Sequence, residues 1–189
     1  MRVVFYWYNE AMKLTREFDD ITAKDFFDYV ENHLIKEIEE TTGKVIKKKD
    51  IVKGLRYVKP IEGQQPVIIT LKDYKKRKVY ASKVESGNET AVTSYRVNPT
   101  EKGVEVEMEM EVSEYEKIKD SLSKFKRNYY ETVYLGRMQK QLGQMMIDIS
   151  REKQGLNDPK DFLGKKAMEH ISEKVNEKLF KRNDKKEKE

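Results

Sequence analysis

Val104-Glu105-Val106-Glu107-Met108-Glu109-Met110-Glu111-Val112 alternates apolar and glutamate residues without a break. A period of two belongs to a β-strand with one dry and one wet face, whereas a helix would scatter these residues around its circumference. Val104, Val106, Met108, Met110 and Val112 therefore share the dry face, and Glu105, Glu107, Glu109 and Glu111 share the wet one. A slip of one residue would bury the carboxylates, so the facing of this strand is fixed. A dry face must be covered, and the rest of the chain is read for what covers it.

Upstream, Asn98-Pro99-Thr100-Glu101-Lys102-Gly103 reads as a turn out of a strand over residues 90–97. Pairing Val97 with Val104 would set Tyr95 opposite Val106 and Arg96 opposite Glu105. Ser86-Gly87-Asn88, Tyr74-Lys75-Lys76 and Gly63-Gln64-Gln65-Pro66 separate further strands expected over residues 77–85, 67–73 and 50–59. Before them, Thr22 and Asp25 open a helix with an apolar stripe of Phe26, Val30, Leu34 and Ile38, flanked by Phe27 and Ile35, and Gly43 closes it. In residues 12–18, Met12, Leu14, Arg16 and Phe18 share one strand face. Arg16 there either snorkels to water at the sheet edge or anchors an acidic ligand group inside. Residues 1–11 hold Val3-Val4-Phe5-Tyr6-Trp7-Tyr8 and read either as an extra N-terminal strand or as a mis-assigned start before Met12.

Downstream, Ser113 and Glu116 have the spacing of a capping box. Ile118, Leu122, Phe125 and Tyr129 begin an apolar stripe that Leu135, Met138, Leu142, Met145 and Ile149 continue. Unbroken to Lys153, this helix would be about 60 Å long, so a break is expected between Asp120 and Tyr130. Asp158, Pro159 and Asp161 open another helix with a one-sided stripe of Leu163, Ala167, Ile171, Val175 and Leu179. Residues 181–189 are a charged tail with nothing to bury, expected to be disordered. The organisation is then a domain over residues 12–153, an amphipathic helical extension over 154–180 and the tail.

The chain has 189 residues, 39% charged and 37% hydrophobic, which suits a thin core with wide solvated faces. It lacks cysteine, a secretory leader and any apolar run of about 20 residues, so a cytoplasmic protein without a membrane span is expected. The net charge of +5 balances 39 basic against 34 acidic residues, a mixed surface rather than that of a dedicated polyanion binder.

The order strand, helix, five-strand meander, long helix resembles the helix-grip fold of the START-like superfamily, which includes polyketide cyclases and the birch-pollen allergen. That resemblance implies an α+β fold: a curved antiparallel sheet of about six strands wrapped on a long C-terminal helix, often with a cavity between, here with an extra C-terminal helix. Met12-Lys13-Leu14 with Phe26-Phe27-Asp28, Glu40-Thr41-Thr42-Gly43-Lys44 with Gly54-Leu55-Arg56-Tyr57, and the strands around Ser94-Tyr95-Arg96-Val97 and residues 104–110 are more narrowly similar to a Firmicutes family catalogued as domain of unknown function 3284. That family brings no catalytic motif.

Function is read in the same terms. A hydrophobic cavity would be lined by Val106, Met108 and Met110 facing Met138, Leu142 and Met145, with Arg16, Tyr57, Tyr80 and Tyr95 as polar contacts. Methionine is adaptable and suits a small apolar or amphipathic ligand, although a methionine stripe is equally ordinary core. A second reading is a protein-interaction or homodimerising regulatory role for the helix bearing Leu163, Ala167, Ile171, Val175 and Leu179. Nucleic-acid binding through Lys47-Lys48-Lys49, Lys53, Arg56 and Lys59, and through Lys72 and Lys75-Lys76-Arg77-Lys78, is disfavoured by the glutamate face and the absence of a reading motif. No cofactor, metal site or catalytic residue is expected. Two isolated histidines make no triad, and side chains on one strand face stand too far apart for the glutamates to share an ion. The balance favours a binding module over an enzyme.

Overall fold

The computed structural model describes residues 3–4, 12–63 and 65–155. The chain divides into two compact units, residues 1–150 and 151–189. Of the second unit, only the end of a helix and a turn at Gln154-Gly155 are described. The expected interaction helix with Leu163, Ala167, Ile171, Val175 and Leu179, the tail and residues 5–11 lie outside the described residues.

The first unit is built on one antiparallel sheet. Its strands are β1 (Val3–Val4), β2 (Met12–Asp19), β3 (Arg56–Lys59), β4 (Val67–Lys75), β5 (Val79–Ser86), β6 (Glu89–Pro99) and β7 (Gly103–Val112), in the order β1-β2-β7-β6-β5-β4-β3. The two residues of β1 flank β2, with Val3 opposite Arg16, so six strands carry the sheet. The alternating stretch is β7, held between β2 and β6: Leu14 and Tyr95 stand on either side of Met108. Val104, Val106 and Met108 are buried, as the period of two requires. A bulge between Leu71 and Asp73 in β4 adds local twist to the curved sheet.

The β6–β7 hairpin departs from the expected register by two residues: Val97 lies opposite Val106, Tyr95 opposite Met108 and Arg96 opposite Glu107. The cause is a tighter turn. The Thr100 N–H donates to the Gly103 carbonyl at 2.9 Å, and the Gly103 N–H donates to the Thr100 hydroxyl at 3.1 Å, so pairing extends to Pro99 and Val104. A shift of two keeps every side chain on its own face. Only glycine fits at 103, because a Cβ there would lie 2.0 Å from the Phe18 carbonyl oxygen.

The strand expected over residues 50–59 shrinks to β3. Residues 48–50 form a 3-10 turn, and Gly54 takes a φ of 92°, which excludes it from extended pairing. Its N–H still donates to the Leu71 carbonyl at 2.8 Å, which ties the approach to the sheet edge.

Helix α1 (Ala23–Thr42) has the expected capping box between Thr22 and Asp25 and the left-handed Gly43. After β7 comes a short helix α2 (Ser113–Ile118), a 3-10 turn over residues 119–121, and α3 (Lys124–Lys153). The long helix thus breaks at residues 122–123, inside the expected window, which leaves α3 about 45 Å long. Ser113 does not cap α2. Its hydroxyl accepts the Thr90 N–H at 2.9 Å, stitching the end of β7 to β6 instead.

Both long helices cover the same face. Phe26 of α1 lies with its ring 5.8 Å from that of Tyr95, and Gln141 of α3 donates to the Tyr95 hydroxyl at 2.6 Å. The Tyr29 hydroxyl of α1 donates to Asp148 of α3 at 3.2 Å, joining the two. A curved antiparallel sheet closing on a long C-terminal helix is the helix-grip fold.

Candidate functional site

Polar and apolar groups meet where the dry face faces α3. Val106, Met108, Met138 and Leu142 are wholly buried and Met145 nearly so, in one apolar cluster with Tyr80 and Tyr95; Met110 lies half-buried at its margin. Among these sequence-predicted residues, strands and helix therefore do come together. Tyr57 belongs to the far edge: its hydroxyl donates to Glu37 of α1 at 2.9 Å, and burial together with that carboxylate holds its phenol well above the usual range. It braces α1 on the sheet rather than facing α3.

Tyr95 and Tyr80 are cross-strand neighbours with ring centres 6.3 Å apart. Burial pushes the Tyr80 phenol up to about 12, and burial also raises Tyr95, partly offset by the Gln141 hydrogen bond. Arg16 stands between Leu14 and Phe18 on the dry face, opposite Val106. Its guanidinium reaches α3 at Gly143, where a Cβ would sit 3.2 Å from Arg16 Nη1. Gln141 and Gly143 belong to one helical turn, so the polar ends of Tyr95 and Arg16 both arrive there, beside Leu142 and Met145.

Burial is uneven along this face. Phe18, Ile21, Phe26, Val97 and Val104 seal one end. At the other end Ala91, Thr93, Met110 and Val112 are only half-buried, as are Tyr134 and Leu135 of α3 above them. Here α2 intervenes: Tyr115 is buried, donates to Glu131 at 2.8 Å and packs its ring 5.9 Å from that of Tyr134. The helical phase restarts at Lys124, so Phe125 and Tyr129, expected in the apolar stripe, are 82% and 60% exposed.

Sequence reading missed Gln141, Gly143 and Glu31. A glycine in mid-helix costs about 1 kcal/mol relative to alanine, and that was the available signal of a close approach. Glu31 stands four residues after Phe27 on the margin of the α1 stripe; it is 3% exposed, accepting from the Tyr74 hydroxyl at 2.5 Å and pairing with Lys48 at 3.2 Å.

The wet face carries the glutamates. Lys13 bridges Glu107 at 2.8 Å and Glu109 at 3.3 Å. Among the described residues, no group of three or more acidic or histidine side chains is arranged to hold a metal ion, and no helix is long and apolar enough to cross a membrane. His33 lies against the Tyr29 ring at 4.2 Å.

A family model described as Domain of unknown function (DUF3284) matches residues 12–132. No curated protein matches. Among solved structures, a Mesorhizobium loti protein is similar with a TM-score of 0.46 and 12% identity, covering 79% of this chain and 99% of its own. A polyketide-cyclase-like protein of Corynebacterium glutamicum gives 0.44 and 14%, over 78% and 94% of the two chains. A point mutant of Thalictrum norcoclaurine synthase, in complex with a transition-state analogue, gives 0.42 and 11%, over 81% and 99%.

Proposed function

The chain belongs to the DUF3284 family, and on that premise we propose that it is a non-catalytic binding module holding a small amphipathic ligand between the dry sheet face and α3. The observation that carries this reading is the convergence of Arg16 and Tyr95 on the α3 turn at Gln141 and Gly143, within walls of methionine and leucine. Mostly apolar surroundings with a few convergent polar groups are the usual character of a small-molecule site. Arg16 favours an acidic head group, since a guanidinium binds a carboxylate through two parallel hydrogen bonds. The half-buried end at Thr93, Met110 and Val112 is the side of entry, and the flexible thioethers of Met108, Met138 and Met145 accommodate the tail.

Native mass spectra of protein purified from its own host, set beside denaturing spectra, test this directly. A reproducible extra mass lost on denaturation, weakened in Arg16→Met, is the expected result. A clean native mass, together with no displacement of a hydrophobic dye by long-chain carboxylates, would show a filled core and overturn the reading.

A further inference from the structure

The start of α3 breaks two rules at once. Phe125 and Tyr129 are 82% and 60% exposed one helical turn apart, with Tyr130 beside them and Ile118 of α2 also exposed. Around them stand Lys117, Lys119, Lys124, Lys126 and Arg127, against Glu114, Glu116 and Asp120. The first turn of α3 carries no acid, only cations, although the helix dipole favours the opposite there. Residues placed against both burial and the dipole mark a surface kept for something outside the fold.

We propose that this end of the molecule docks on an anionic lipid surface. Aromatic rings interleaved with lysine and arginine on one helix match what an interfacial helix needs: rings entering the boundary of the acyl region, and cations at the level of the head groups. A protein partner would fit less well, because lysine is depleted at protein interfaces. Charge complementarity therefore selects the bilayer. The docking face adjoins the half-buried end of the sheet through Tyr115 and Tyr130, whose ring centres are 6.1 Å apart. It stands whether or not the core holds a ligand.

The test is co-sedimentation of the full chain at low salt with vesicles of phosphatidylglycerol and phosphatidylcholine, and with phosphatidylcholine alone. Binding to the anionic vesicles only, lost as salt rises, is expected. Phe125→Ser with Tyr129→Ser should weaken it about tenfold. Lys124→Glu with Lys126→Glu should weaken it about twentyfold or more. All four side chains are exposed, so circular dichroism should find both double variants folded. A chain that stays in solution with anionic vesicles, or variants that bind like the parent, would overturn the proposal. So would a single-stranded oligonucleotide that binds this patch when vesicles do not, which would assign the surface to nucleic acid.

Discussion

Removing the Tyr74 hydroxyl tests how the buried Glu31 holds α1 to the sheet edge. Glu31 is 3% exposed and has two partners: the Tyr74 hydroxyl at 2.5 Å and Lys48 at 3.2 Å, with Lys48 itself 44% exposed. Hydrogen bonds to charged groups contribute about 1.5–3 kcal/mol. Lys48 is largely solvated, so its pairing with Glu31 contributes about 1 kcal/mol at most. Tyr74→Phe leaves the carboxylate buried with only that weaker partner, and a loss of about 2 kcal/mol is expected. For a unit of this size that lowers Tm by about 6 °C. In a Glu31→Leu background no buried charge needs the hydroxyl, and the half-exposed Tyr74 can turn to water. There Tyr74→Phe should cost under about 0.5 kcal/mol, leaving a coupling near 1.5 kcal/mol. Urea denaturation of the four proteins gives the cycle. Equal costs in both backgrounds would mean that Tyr74 acts through its ring alone, which lies 6.3 Å from that of Phe27, and would refute the argument.

Gly103→Ala should destabilise by about 3 kcal/mol or more, since a methyl 2.0 Å from the Phe18 carbonyl must part β2 from β7; stability unchanged in denaturant would show that the close approach is not real. Burial, and then hydrogen bonds to carboxylates, raises the Tyr57, Tyr74 and Tyr115 phenols, and burial holds Tyr80 at about 12. The folded chain therefore keeps protons that the unfolded chain releases from about pH 10, so stability is flat below that pH and falls above it. Phenolate absorbance should rise together with unfolding, and tyrosines titrating near pH 10 in a folded chain would contradict this. Ending the chain after Lys153 should leave the sheet and α3 folded but halve the mass in solution if the segment bearing Leu163, Ile171 and Val175 pairs two copies; an unchanged mass would exclude that pairing.

What the sequence revealed and what it concealed have the same physical origin. Facing is a local property: alternation in residues 104–112 and the stripe at Phe26, Val30, Leu34 and Ile38 each state which side is dry, and the structure agrees at every one of these positions except Met110 and Val112, at the open end. Register is different, because shifts of two conserve facing and only the turn distinguishes them. The choice between pairing Val97 with Val104 or with Val106 rested on two hydrogen bonds between Thr100 and Gly103 that periodicity does not encode. Helical phase fails in the same way. Ile118, Phe125 and Tyr129 continue a stripe on paper, but the break at residues 122–123 resets the rotation. A rule that assumed one continuous helix assigned to the core the residues that are most exposed. The site inherits both limits. Met138, Leu142 and Met145 were legible because they follow an unbroken stretch of helix. Gln141 and Gly143, which meet Tyr95 and Arg16, became visible only once the sheet and α3 were docked. A lone glycine between apolar helix positions was the trace they left, and it is the trace to seek in other chains where a strand carries one cation among its apolar residues.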